Sequence, residues 1–412
     1  MNTFYFLWLI DRSFFIRTRV KRAEMYQNRF PASEGWPSDQ QELLLKIASA
    51  DPDRAYGLWR ENRLCLFPGD VQVSTRFILP LVYQNLMGYH SKIAPLTLQY
   101  LRKLYLITHA ENSRRLRVLE TIAHAFRNAG LQLTLLKGSA LLLLYYEKAG
   151  LRPMSDVDIF VPVEKIDIAL ELLSSLGWQP KSGNHQHSIE SCVKWTHGHE
   201  FYNAEGQWID LHWHIMHECC FKEADEDFMQ GAVAFDYNGI RYSALNPADQ
   251  LLHAFVQGAR CEGFVYLRWA ADAARVIQHA GVDMDWQRLV SLSKKYRLLL
   301  QVRNALAYMK EQIGIRIPDD IFEELHHLPV TRTEQFEYHY KRQRIDNKFF
   351  SYWPVLWFDY SRQMHREPLI LKMTGFPEFL RDYWGIENFN VFAGLFRTMT
   401  GKMLDSLRHR QH

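Results

Sequence analysis

Two periodicities alternate along the chain and predict its elements. From Gln40 to Gly130 apolar residues recur at three- and four-residue spacing, the signature of amphipathic helices. "QQELLLKIAS" follows Ser38-Asp39, whose side-chain oxygens suit the free amides of a first helical turn. "LTLQYLRKLYLITHAENSRRLRVLETIAHAFRNAG" carries the same spacing up to Gly130, a residue suited to a helix C-terminus. The period then shortens. "LQLTLL" (131–136) leans toward a strand, and "KGSALLLLYYEKAG" reads as a turn into a helix ending at Gly150. "DVDIFVPV" predicts a strand and "VEKIDIALELLSSLG" an amphipathic helix closing at Gly177. "HEFYNAEGQWIDLHWHI" predicts a hairpin turning at Asn203–Gly206. From Pro247 the helical spacing returns and persists to the end of the chain.

This order predicts an α+β protein, with a mixed-sheet module flanked by helical domains. The expected divisions are 1–39 (an N-terminal segment and linker), 40–130 (helical), 131–246 (the sheet module) and 247–412 (helical). No internal repeat or low-complexity tract interrupts them.

Bulk composition narrows the class without choosing a function. A hydrophobic fraction of 47% over 412 residues supplies ample core for two or three domains. A formal net charge of +3 argues against a general polyanion binder. The five cysteines (65, 192, 219, 220 and 261) have no regular spacing, which favours free thiols and a cytoplasmic location. The apolar start "MNTFYFLWLI" is interrupted at Asp11 and falls short of a membrane span, so it reads as a packed or partner-seeking segment.

The candidate chemistry sits in "GLRPMSDVDIFV" and "WIDLHWHI". Strand residues two apart share a face, so Asp156 and Asp158 point one way and Val157 and Ile159 the other. Asp210, His212 and His214 likewise share a face. If the two strands are neighbours, three carboxylates converge, and their repulsion calls for a divalent cation. Oxygen ligands of this kind suit Mg²⁺ or Mn²⁺. Upstream, Gly138 and Ser139 fall at a strand-to-helix junction, where free amides favour a phosphate. Lys137 adds charge there, and Arg152 is placed either to hold a phosphate oxygen or to pair with Asp156. Taken singly, a Gly-Ser turn and an Asp-x-Asp pair are both common in ordinary folds; the fixed order is the more specific signal.

"LLKGSALLLLYYEKAGLRPMSDVDIFV" with "WIDLHWHI" resembles the DNA polymerase β-type nucleotidyltransferase superfamily. Within it, the chain is similar to a largely uncharacterised bacterial branch with Lys-Gly-x-Ala, Arg-Pro-Met and Asp-Leu-His-Trp motifs. The resemblance implies that Gly138 and Ser139 hold nucleotide phosphates and that Asp156, Asp158 and Asp210 are catalytic metal ligands. It implies transfer of a nucleoside monophosphate, most simply AMP from ATP, to a protein, small-molecule or RNA hydroxyl. His212 would orient the acceptor or Asp210. A toxin–antitoxin-type regulator acting on a protein partner and a non-catalytic nucleotide-binding scaffold are the competing classes.

Other features carry plainer expectations. "DLHWHIMHECC" lacks the second knuckle of a zinc site, leaving His214, Cys219 and Cys220 as packing or solvated groups. Arg268 and Asp272 are spaced for an ion pair along one helix, which in the resembled branch could line the nucleotide cleft. The His-rich 185–200 stretch reads as a loop that covers the site or contacts an acceptor, and "TMTGKMLDSLRHRQH" as a basic surface end.

Overall fold

Ser38 opens the first helix among the described residues as its position predicts: its hydroxyl accepts from the Gln41 amide, and the Gln41 side chain accepts from the Ser38 amide. The computed structural model describes residues 36–67, 69, 71–181, 189–260, 267–342 and 353–383. The apolar N-terminus, the basic C-terminal end, residues 185–188 of the His-rich stretch, the Cys192 side chain and Cys261 lie outside the described residues.

The N-terminal helices are α1 (Asp39–Ser49), α2 (Pro52–Glu61), α3 (Val73–Arg76), α4 (Leu79–Leu86) and the long α5 (Pro95–Asn128). Gly130, with φ of 72°, turns the chain out of α5. The module follows as β1 (Thr134–Leu135), α6 (Lys137–Tyr145), β2 (Val157–Phe160), α7 (Ile166–Ser175), β3 (Gln179–Pro180), α8 (Ile189–Trp195), β4 (Gly198–Tyr202) and β5 (Trp208–His212). It is completed by α9 (Lys222–Gln230), β6 (Val233–Tyr237) and β7 (Ile240–Ala244). The C-terminal helices are α10 (Pro247–Ala259), α11 (Arg268–Ala280), α12 (Trp286–Lys295), α13 (Leu299–Tyr308), α14 (Asp319–His327), α15 (Arg332–Arg342), α16 (Trp353–Gln363) and α17 (Leu369–Tyr383).

The strands form one seven-stranded mixed sheet in the order β3-β4-β5-β2-β1-β7-β6. The pairs β2–β5 and β1–β7 are parallel, and the remaining pairs are antiparallel. The hairpin at Asn203–Gly206 forms as expected, with Asn203 Oδ1 accepting from the Glu205 and Gln207 amides. A second hairpin, β6–β7, went unpredicted although "VAFDYNGIRYSA" carries its signal. Asn238 and Gly239 both take positive φ, as a tight two-residue turn demands.

Two boundaries differ from the expectation. The helix after Lys137 ends at Tyr145, not Gly150, because Tyr146 turns extended and its hydroxyl donates to Asp272 at 2.7 Å. Strand β2 begins at Val157, so Asp156 precedes it.

One buried apolar cluster runs from Trp36 through the sheet to Leu325, joining both helical flanks to the module. Trp36 stacks on Tyr308 and meets the edge of Trp269, while α10 and α11 pack over α6. A smaller core of Leu356, Tyr360, Phe379 and Leu380 has Trp195 packed against it. Cys65, Cys219 and Cys220 are free thiols. Among the described residues no helix is long and apolar enough to cross a membrane.

Gly198 of β4 lies opposite His212 of β5, and a Cβ there would stand 2.7 Å from the Leu211 carbonyl oxygen. Backbone cannot yield as a flexible side chain can. Gly198→Ala should therefore cost about 2 kcal/mol of stability in urea unfolding, and it should displace His212.

Candidate active site

The register between β2 and β5 determines what the site contains. Asp158 pairs with Asp210 and Phe160 with His212 across two adjacent parallel strands. Helix α6 is bolted to this point by Ser139. Its fully buried hydroxyl accepts from the Asp158 amide at 3.1 Å and donates to the Asp158 carbonyl at 2.9 Å. The Ser139 side chain thus turns into the β2 backbone, which leaves only its amide for the expected phosphate contact.

Lys137 stands at the start of α6 with φ of 40°, a left-handed conformation costly for a residue with a Cβ. Its ammonium lies 2.9 Å from Asp158 Oδ1 and 3.1 Å from Asp210 Oδ2. It therefore sits between the two carboxylates, whereas the sequence suggested a place beside phosphate. His212, wholly buried, brings Nε2 to 2.8 Å from Asp210 Oδ2 and 3.0 Å from the Lys137 ammonium.

The charges hold one another in place. Burial works against the Lys137 ammonium, but Asp158 and Asp210 outweigh it and raise its pKa. Burial likewise opposes ionisation of Asp158, and Lys137 overcomes it, bringing the carboxyl down to about 2. Asp210 is held well below the carboxylate range despite burial, by His212 and then Lys137. For His212, burial and Lys137 disfavour the proton, and Asp210 and Asp158 restore it with a net upward shift.

Asp156 lies outside this knot. Its Oδ1 accepts from the Ser155 hydroxyl at 2.9 Å, and burial followed by the nearby Asp158 charge raises its pKa to about 6. The compact group is Asp158, Asp210 and His212, whose ligand atoms all lie within 4.8 Å of one another. Two carboxylate oxygens and an imidazole nitrogen at that spacing fit one divalent ion, with Asp156 on the wall of the adjoining pocket. Of the three expected carboxylates, Asp158 and Asp210 fall in this group with His212, and Asp156 stands on the pocket wall beside it.

The pocket encloses about 660 Å³ and is lined by Lys137, Gly138, Arg152, Asp156, Phe77 and Arg268 among others. Gly138 is required by close approach, since a Cβ would lie 2.8 Å from Arg152 Nη1. Arg152 is 3% exposed and does not pair with Asp156. Its Nε and Nη2 each donate to Asp272 at 2.8 Å, and its Nη1 is buried without a partner beside the first turn of α6. With Asp272 engaged, the i,i+4 ion pair expected for Arg268 does not form. Arg268 instead donates to the Pro153 carbonyl at 2.8 Å and lies over Phe77.

Sequence reasoning missed Asp272 and Tyr146 as supports of Arg152, and Phe77 and Gln257 as pocket walls. The Arg268–Asp272 spacing was the available signal for the first; Phe77 offered none. His214 turns away from the carboxylates, bringing Nδ1 to 2.6 Å from Asp225 Oδ2, and His217 lies 3.4 Å from Asp359. Cys219 is buried, and Cys220 contacts the His217 carbonyl.

Residues 72–314 match the model of a family described as uncharacterised nucleotidyltransferase. No curated protein matches the chain. Among solved structures it is similar to an antigenic nucleotidyltransferase-like protein from Paracoccidioides brasiliensis, at 15% identity over 52% of this chain and 98% of that one, with a TM-score of 0.33.

Replacing Lys137 by Met leaves buried Asp158 without its lysine and Asp210 with His212 alone. In metal-free buffer Lys137→Met should lose about 3 kcal/mol of stability. Millimolar Mn²⁺ should restore most of it, as a calorimetric melt would show. Asp156 provides a pH test. A carboxyl whose folded pKa is raised from 3.8 to about 6 stabilises the fold at low pH and loses that contribution as pH climbs through 4 to 6. In EDTA, the stability of wild type relative to Asp156→Asn should fall by about 2 kcal/mol between pH 4 and pH 7, read from urea unfolding at each pH.

Proposed function

Because the chain belongs to the uncharacterised nucleotidyltransferase family, we propose that it transfers a nucleoside monophosphate from a nucleoside triphosphate, ATP in the first instance, to a hydroxyl acceptor. The observation that carries this reading is the Asp158–Asp210 pair, in register on neighbouring strands beneath a helix N-terminus and beside an unpartnered guanidinium nitrogen.

Divalent magnesium or manganese, held by Asp158 and Asp210 with Asp156 from the pocket wall, would supply Lewis acidity at the reacting phosphate and lower the acceptor's pKa. The chain's own residues do the rest. The α6 amides at Gly138 and Ser139, with Arg152 Nη1, receive phosphate oxygens where the helix dipole favours negative charge. Lys137, which lies between Asp158 and Asp210, would be free to offset charge on the β- and γ-phosphates with an ion on those carboxylates. Asp210 receives the proton of the attacking hydroxyl, and His212 holds that carboxylate in orientation through the 2.8 Å contact. The acceptor oxygen forms a bond to the α-phosphorus, the bond to the bridging oxygen breaks, and pyrophosphate leaves. Retention of Asp156, Asp158 and Asp210 together favours this over a non-catalytic scaffold.

Incubation with α-labelled ATP, GTP, CTP and UTP, Mn²⁺ and fractionated host lysate should show label transfer or pyrophosphate release. Combined Asp156→Asn and Asp158→Asn should reduce it to background, and undiminished transfer would overturn the assignment. The labelled product identifies the acceptor as protein, RNA or small molecule.

A further inference from the structure

Two guanidiniums face the same pocket, and only one has a carboxylate. Arg152 comes from the loop between α6 and β2 and is neutralised by Asp272. Arg268 comes from the first turn of α11, in the C-terminal helical flank. Among the described residues no Asp or Glu lies within the 4.0 Å ion-pair distance of Arg268. What holds Arg268 is a carbonyl, that of Pro153 at 2.8 Å, and an aromatic face, that of Phe77 with its centroid 5.2 Å from the guanidinium carbon. Neither contact cancels its charge. Burial first and the neighbouring Arg152 next push its pKa down, and the more distant Asp272, Asp156 and Asp158 charges offset this only in part. Arg152 lines the same pocket, and its Nη1 is buried without a partner against Gly138 at the first turn of α6.

From this arrangement we infer that Arg268 is a substrate-binding residue. With Arg152 Nη1 it forms a two-guanidinium clamp for the terminal phosphate of the nucleoside triphosphate, and Asp272 is the positioning residue that turns Arg152 Nη1 into the pocket. The inference rests on the nucleotide reading of the site and extends it to residues outside the sheet. A planar fork pinned along one edge by a bidentate carboxylate has its other edge fixed in direction. Tyr146, donating to Asp272 Oδ1 at 2.7 Å, fixes that carboxylate in turn. The clamp spans the module and α11, so it senses how many phosphates reach across. A triphosphate engages both guanidiniums, whereas a single phosphate on the α6 amides engages one.

Inorganic tripolyphosphate, pyrophosphate and phosphate, titrated calorimetrically into the full chain, test the clamp without any transfer chemistry. Wild type should bind tripolyphosphate at least tenfold more tightly than pyrophosphate, and Arg268→Ala should abolish that preference. Arg268→Ala binding tripolyphosphate within twofold of wild type would overturn the inference. Asp272→Asn should raise the KM for ATP at least tenfold while kcat changes less than threefold. A purely structural role would lower the amount of active enzyme and leave KM unmoved. If Asp272→Asn does not fold, Tyr146→Phe takes its place, with a KM increase of at least threefold expected and an unchanged KM contradicting the positioning role. An Arg268-dependent tripolyphosphate site in a protein that transfers no label would sink the transferase reading and leave the clamp standing. Transfer with an unchanged KM in Arg268→Ala would do the reverse.

Discussion

Two carboxylates side by side in a buried sheet set the terms for the rest of this molecule. At a separation of about 4 Å and an effective dielectric near 20, like charges repel by about 4 kcal/mol, before the cost of removing each from water. Asp158 and Asp210 occupy such positions on adjacent parallel strands, and the fold provides a cation for them in Lys137. That lysine accepts a left-handed backbone to reach them. Strain at a residue whose side chain is this constrained points to a selected position rather than a packing accident.

The surrounding structure preserves the pair's geometry. Ser139 ties the start of α6 to the β2 backbone at Asp158, so Lys137 is anchored beside the carboxylate it meets. Gly198 lets β4 lie close against His212, which in turn holds Asp210. On the pocket side, Gly138 admits Arg152 Nη1, and Asp272 with Tyr146 determines which guanidinium edge faces inward. The helical flanks therefore do more than cover the sheet. α11 contributes both the support for Arg152 and the unneutralised Arg268, and the segment between α3 and α4 contributes the aromatic wall.

Much of this fold could be read in the sequence, where the signals are local. Ser38, Gly130 and the Asn203–Gly206 turn act over a few residues, and each appears where its chemistry places it. The Asn238-Gly239 hairpin was equally legible and was overlooked. Alternation by two placed Asp158 with a later carboxylate only on the assumption that their strands adjoin, which no local signal states. The same alternation treated Asp156 as a strand residue, but the strand starts one position later, leaving Asp156 on the wall with a raised pKa. Contacts over long sequence separations were beyond reach. Arg152 finds Asp272 through the packing of α11 over α6, whereas spacing alone offered only a phosphate or the nearer Asp156. The reach of Lys137 into the carboxylates depends on a backbone angle that composition does not reveal.

On the function proposed above, a divalent ion and the Lys137 ammonium are alternatives between Asp158 and Asp210. Anomalous diffraction from crystals grown with Mn²⁺ and a non-hydrolysable nucleoside triphosphate tests it most directly. The expected result is a manganese peak bonded to both carboxylates, with the Lys137 ammonium withdrawn toward the phosphates. A nucleotide bound with Lys137 still seated between Asp158 and Asp210, and no manganese on either, would contradict it.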